Sequence, residues 1–389
     1  MPAAEYSVSK KQVSRSRRSP DAGERAYAYA KACGIIGKSF VGKRIFLLGK
    51  LNTLAQMSRL VFPELQLELP ERELLTELEK RILKRTTNQI LSVLNSYSNP
   101  PEFLVRQLRA AEYADLKICL HHISNGKPAP EMLNDIGRFR TVRFELYPDI
   151  EAMISGTEFN FILNYDLSAV KKPDYDYTPL DTELDVRYYS LLLNSMSHLS
   201  ASDRHFAEWI LAEEISLRNC AWVLRLRTYY NKKPDETVKY LMDMKMFRSF
   251  LSGKYSDIPG DIHPRIATLL FGKEASDKDI HLALEAKQML NFPLNSRSAW
   301  NGWRWESLLN PEIPGEVWNA DPRYFQNAAS RYIYHLAWRC FTRLPLSMDS
   351  IFCFIQLKQF EEDILTGIAE GLRLGMDGKE TLEFLGVSQ

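Results

Sequence analysis

Three stretches of this chain spell the same pattern, and that recurrence constrains the fold more than any bulk property. Near residue 112 the chain reads EYADLKICLHHISNGKPAPEML; near 214 it reads EISLRNCAWVLRLRTYYNKKPDETVKYL; near 361 it reads EEDILTGIAEGLRLGMDGKETLEFL. Each copy begins with an acid (Glu112, Glu214 or Glu361) and continues with apolar residues at helical spacing. A turn rich in Gly, Asn, Lys or Pro follows, and then Glu131, Glu236 or Glu380 opens another apolar stretch. From the first Glu to the turn lysine is 15 residues in the first copy (Lys127) and 19 in the second (Lys233). The difference is about one helical turn, so the apolar face stays in phase. Self-similarity of this kind marks one supersecondary unit used repeatedly, set against the competing reading that helices resemble one another by composition.

Helical periodicity dominates elsewhere too. In the segment 70–94, Pro70 can open a helix, Glu71 and Glu73 suit its first turn, and Leu75, Leu78, Ile82, Ile90 and Val93 keep one face apolar. The same spacing predicts helices over 211–230 (Leu211, Ile215, Trp222, Leu226, Tyr229) and 357–374 (Leu357, Phe360, Ile364, Ile368, Leu372). Strand candidates are few and short, 141–147 and 159–165, and both read equally well as helical or irregular. A second, weaker recurrence pairs 59–82 with 306–333: an apolar pair, Pro-Glu, an irregular stretch, Pro, then a helix. Linkers are expected near 169–181 and 254–264, which are dense in Pro, Asp, Gly and Lys.

The expected architecture is all-α, with three similar helical domains. A basic tail (1–25) precedes a first domain (26–140), a second (141–258) and a third (259–389) that carries a Trp-rich insertion. The tail contains SKKQVSRSRR (9–18), with no apolar segment behind it to make a signal peptide, and reads as a solvated extension. No apolar run reaches the roughly 18 residues of a membrane-spanning helix. Lys plus Arg is 50 against 49 for Asp plus Glu, which argues against a dominant nucleic-acid field. The cysteines at 33, 119, 220, 340 and 353 form no C-x-x-C pair and read as small core residues of a reducing compartment.

Motifs for chemistry are thin. Ala32 to Ser39 satisfies the loose phosphate-loop string A-x4-G-K-S. A working phosphate loop follows a strand and opens a helix at its Lys-Ser, so that backbone N–H groups and the helix N-terminus face the phosphates. Here ERAYAYAKA precedes the string and suits a helix, and Gly42 falls where the phosphate-binding helix should be in its first turns. The string is expected to fail as a site. His121 and His122 are adjacent, hence about 100° apart on a helix and poorly placed to share a metal. Trp300, Trp303, Trp305 and Trp318 read as a lid packed by its own side chains, or a protein contact, ahead of an aromatic cage. No catalytic, cofactor-binding or metal-ligating set emerges.

The repeat residues carry a family resemblance. The segments YAYAKACGIIGKSFVGKR, RLVFPELQLELPERELLTELEKRI, RAAEYADLKICLHH and AEEISLRNCAWVLRLRTYYNKKP resemble the C-type subunit of prokaryotic V-type (A-type) ATPases, whose eukaryotic relative is the d-type subunit. The likeness runs from about Tyr27 to Leu385. The basic tail and a longer Trp-rich connection (about 258–320) depart from it.

The resemblance implies a non-catalytic rotor part: a funnel of pseudo-threefold symmetry, peripheral on the cytoplasmic face of the membrane. Its base would sit on the proteolipid (c/K) ring, and its cavity would receive the central stalk, a D–F pair. It implies no cofactor and no nucleic acid. The choice of proton or sodium ion, and of synthesis or hydrolysis, would lie with the ring and the head. The repeated turns put Lys127, Lys232, Lys233 and Lys379 at equivalent places, with Arg225, Arg227 and Arg373 nearby. These are the candidate partner-binding residues, a basic rim expected to meet an acidic surface. The alternative function is an all-helical scaffold or adaptor outside any ATPase.

Overall fold

A computed structural model describes residues 20–64, 69–196, 199–200, 203, 205–242 and 283–387. The basic tail through residue 19 and the expected linker at 254–264 lie outside the described residues. Regular structure is entirely helical, with no strand among the described residues, as the 3.6-residue period predicts. The helices are α1 (Ala22–Ile36), α2 (Leu54–Val61), α3 (Glu71–Leu94), α4 (Glu102–Leu108), α5 (Ala110–Ser124), α6 (Ile150–Ile154), α7 (Leu167–Val170), α8 (Thr178–Met196), α9 (His205–Thr228), α10 (Pro234–Thr237), α11 (Leu284–Met289), α12 (Pro322–Arg343), α13 (Met348–Arg373) and α14 (Gly378–Phe384). The two ambiguous strand segments resolve into single 3-10 turns, Phe144–Leu146 and Asn160–Asn164.

Short polar side chains set the helix starts. Asp21, Thr53, Asp321, Ser347 and Asp377 each accept a hydrogen bond from a first-turn backbone N–H, satisfying a donor that the helix itself cannot. One cap comes from a different helix. Asp349, in the first turn of α13, accepts from the N–H groups of Phe206 (3.2 Å) and Ala207 (3.1 Å) and so ties the start of α9 to the start of α13.

α13 is the axis of the molecule. Eighteen of its 26 residues are buried, which is the signature of a helix surrounded on all sides. Its first half (Ile351 to Leu357) joins a core with α1, α4, α9, α12 and the end of α3. Its second half (Phe360 to Leu372) joins a core with α2, the start of α3, α14 and the 3-10 helix Gly42–Lys50. Residues from the two ends of the sequence, 40–82 and 360–382, therefore share one apolar cluster. A third cluster gathers α5, the first half of α8 and the segment 142–177. The expected linker 169–181 is anchored there, with the Tyr177 hydroxyl donating to the carbonyls of Leu120 (2.9 Å) and Val170 (2.6 Å).

The Trp-rich segment packs on itself and on α9 and α11. Trp300, Trp303, Trp305 and Trp318 are all buried, and the Trp300 ring meets those of Trp303 and Trp318 edge to face. The four indole N–H groups donate to Pro293 O, Glu285 O, Ser216 Oγ and Asn310 O. With every indole donor used internally, the segment is a packed lid. Arg304 clamps it down, bonding Glu213 and, at 3.1 Å, Glu285, both buried.

Candidate functional site

The three repeated segments become α5, α9 and α13, and their side-chain pairings fix their relative directions. α5 runs against α8, with Lys117 to Asp185 at 2.8 Å and His121 to Asp181 at 3.6 Å. α8 runs against α9, with the Tyr189 hydroxyl donating to Glu214 at 2.6 Å and Arg218 reaching Asp185 at 3.8 Å. α9 and α13 run together, joined at Ala207–Asp349 and again where Gln356 donates to Glu214 at 3.0 Å. So α5, α9 and α13 point the same way, and the turns that end them lie toward one end of the molecule.

Between these helices lies a cavity of about 750 Å³ with charged groups set among apolar ones. Its walls include Lys117 on α5, Asp181 and Asp185 on α8, Glu214, Arg218 and Arg225 on α9, Gln326 and Tyr334 on α12, Gln356, Glu362 and Asp363 on α13, and Thr86 and Thr87 on α3. Five carboxylates face three cations. Two of those cations, Lys117 and Arg218, already pair with the single carboxylate Asp185. The cavity is therefore acidic on balance. Asp363 makes no ion pair or hydrogen bond with any described residue. It is open to the water of the cavity yet deep among the helices, and that desolvation pushes its carboxyl up to about 6. Desolvation likewise raises Glu362 to about 7, against a hydrogen bond from Thr86 that works the other way.

Behind the wall sits a buried ion pair. Lys358 and Glu361 face each other one helical turn apart on α13, both almost fully buried. Glu361 also accepts from Phe40 N at 2.7 Å and lies 3.6 Å from Arg85, while Lys358 donates to Ser39 Oγ at 3.0 Å. Burial alone would raise Glu361; the ammonium of Lys358 and the hydrogen bonds outweigh it and hold the carboxyl low.

That network explains the phosphate-loop string. Lys38 N and Ser39 N bond back to Ile35 O (3.0 Å) and Ile36 O (3.1 Å), so they cannot cradle a phosphate. The string sits at the C-terminus of α1, the end whose dipole repels anions. Ser39 is fully buried against Lys358. Gly42 has φ +56°, its N–H donates to the Tyr334 hydroxyl at 2.8 Å, and a Cβ there would lie 3.1 Å from the Trp338 ring. The glycine and the Lys-Ser serve a tight crossing onto α12 and α13.

The proposed basic residues fall into two groups. Lys127, Lys233, Lys379 and Arg373 are exposed and Lys232 is half-buried; Lys127, Lys232 and Lys233 sit in the turns after α5 and α9, Arg373 ends α13 and Lys379 lies in the first turn of α14. Their contacts stay local: Arg373 pairs with Glu370 at 2.8 Å, Lys379 with Glu383 at 3.9 Å, and Lys233 N donates to Glu236. Arg225 instead lines the cavity and bonds Gln326 of α12. Arg227 donates to the carbonyls of Met289 (2.6 Å) and Phe292 (2.9 Å), closing the end of α11.

The acids that open the repeats differ in their surroundings. Glu112 is buried and accepts from Val142 N and from Thr141; Glu361 is buried and accepts from Phe40 N. In the second copy Glu214 is half-buried on the cavity wall, and its neighbour Glu213 is buried against Arg304. Pattern reading passed over the cavity acids. The signal was the doubled acids, Glu213–Glu214 and Glu361–Glu362, in which one member anchors a loop and the next faces the cavity. The adjacent histidines take separate tasks, His121 beside Asp181 and His122 against Pro128 O. Among the described residues no three His, Cys, Asp or Glu group to hold a metal ion.

The described residues thus form an all-helical assembly around a cavity. Residues 62–289, more than half of the chain, match the model of the family described as ATP synthase (C/AC39) subunit, and the chain belongs to that family. It is also 26% identical over 360 residues to an uncharacterized protein of Treponema pallidum (strain Nichols), covering 92% of this chain and 96% of the relative.

Proposed function

We propose that this chain is the non-catalytic coupling subunit of a rotary V-type or A-type ATPase. Its acidic cavity would receive the tip of the D–F central stalk, and its opposite surface would rest on the proteolipid ring. The observation that carries this reading is the cavity itself, lined by α5, α9 and α13, which run the same way, together with α3, α8 and α12, and holding two carboxylates, Glu362 and Asp363, whose ionisation desolvation opposes. Such groups cost the isolated chain stability, and a cationic partner entering the cavity would relieve that cost. Stiff helix packing around α13 suits a part that transmits torque. The division into three helical units at about 140 and 258, and the role of Lys127, Lys232, Lys233, Lys379 and Arg373 as a basic rim meeting an acidic partner surface, belong to the same proposal. No described helix is long and apolar enough to cross a membrane, so attachment would run through the ring.

Affinity-tagged chain expressed with its ATPase partners tests this. The D and F stalk proteins and the proteolipid should co-purify with it, and Lys232→Glu with Lys233→Glu should weaken capture at one of the two interfaces. Recovery of the chain without any of the three partners would overturn the proposal.

A further inference from the structure

A second surface of the molecule is as one-sided as the cavity, with the opposite sign. Residues 25–63 contain seven lysines and arginines and not one acid, and residues 322–348 contain four arginines and not one acid. These two acid-free runs pack together. Gly42 N donates to the Tyr334 hydroxyl, Gly42 lies on the Trp338 ring, and the Tyr29 hydroxyl donates to Phe341 O at 3.2 Å. The contact brings Lys38, Lys43 and Arg44, from the crossing after α1, beside His335, Arg339 and Arg343 on α12. All six are exposed, and none makes an ion pair among the described residues. On α12 the positions 331, 335, 339 and 343 recur every four residues and fall on one stripe. His335 feels that stripe: burial and the neighbouring Arg331 and Arg339 all pull its pKa down. The half-buried ring of Trp338 sits in the middle, and five more cations precede α1 in the tail 9–18.

We propose that this face binds the surface of an anionic lipid bilayer directly, through lipid phosphates and carboxylates. A broad area of Lys and Arg heads that make no ion pair among the described residues, with an aromatic ring at its centre, suits a delocalised sheet of negative charge better than one acidic side chain. This contact goes beyond the coupling role and does not depend on it, because it is a property of the isolated chain.

Flotation of the full chain with vesicles tests it. At about 100 mM salt the protein should float with phosphatidylcholine vesicles containing about one-third phosphatidylglycerol and stay behind with pure phosphatidylcholine. The pairs Lys43→Glu with Arg44→Glu, and Arg339→Glu with Arg343→Glu, should each weaken binding about tenfold or more, while Lys171→Glu with Lys172→Glu, an equal charge change at two exposed lysines elsewhere, should leave it within about twofold. No flotation on anionic vesicles overturns the proposal. So does equal loss in the control pair, which would make net charge the cause. Loss only when Arg15, Arg17 and Arg18 of the tail become Ser would assign binding to the tail and overturn it as well. Face variants that float normally but fail to join the ATPase would overturn it too, and would assign the face to an acidic protein instead.

Discussion

At the scale of single residues, the most exacting arrangement is the buried Lys358–Glu361 pair, which holds the stretch of chain after α1 by its backbone. Removing one partner of a buried pair strands the other charge. Lys358→Met should therefore destabilise the fold by about 3–5 kcal/mol in a denaturant titration, with part of the loss recovered by adding Glu361→Gln. The cavity acids make the opposite prediction. The values of Glu362 and Asp363 are raised in the folded chain, so the cost of ionising them is absent at low pH and appears as the pH climbs through the interval from the ordinary carboxylate range to about 6 and 7. Glu362→Gln with Asp363→Asn should raise Tm at about pH 8, and the gain should fade by about pH 5. A gain that is equal at both ends of that range would show that desolvation is not its source. None of this was legible in the sequence. Glu361, Glu362 and Asp363 are consecutive acids on one helix, and only tertiary packing makes the first an anchor and the next two a wall.

At the scale of elements, periodicity read well. Leu75, Leu78, Ile82, Ile90 and Val93 are all buried on α3, as are Leu357, Phe360, Ile364, Ile368 and Leu372 on α13. The exception has a physical reason. Tyr229 is half exposed because α9 ends at Thr228. The phosphate-loop string was recognised as empty from its flanks, and the helix before it and the glycine after it bear that reading out. The Trp-rich lid is an element whose hold on α9 depends on Arg304, because Glu213 and Glu285 are buried and both face it. Arg304→Leu should cost about 1–3 kcal/mol, less than a fully buried pair because the arginine is partly exposed. Limited proteolysis should then cut within 290–321 faster than in the unaltered chain. An unchanged cleavage rate would mean that the tryptophans hold the lid unaided.

At the scale of the whole molecule, charge is segregated although the total is near neutral. Fifty basic residues balance 49 acidic ones, yet the cavity is acidic and the two runs that meet between α1 and α12, 25–63 and 322–348, contain no acid. Composition alone hid this, because segregation depends on which helices meet. The three helices of the repeat were visible as a pattern. That they run the same way around one cavity was not, since direction follows from pairings such as Ala207–Asp349 and Lys117–Asp185 between residues far apart in sequence. A socket for a rotary shaft must bind that shaft. The most direct test is a titration of purified D–F stalk onto the full chain, beside the variant Glu214→Lys with Asp363→Lys. The unaltered chain should bind saturably, and the variant should bind at least about tenfold more weakly. Absence of binding, or equal affinity in both proteins, would contradict the socket role.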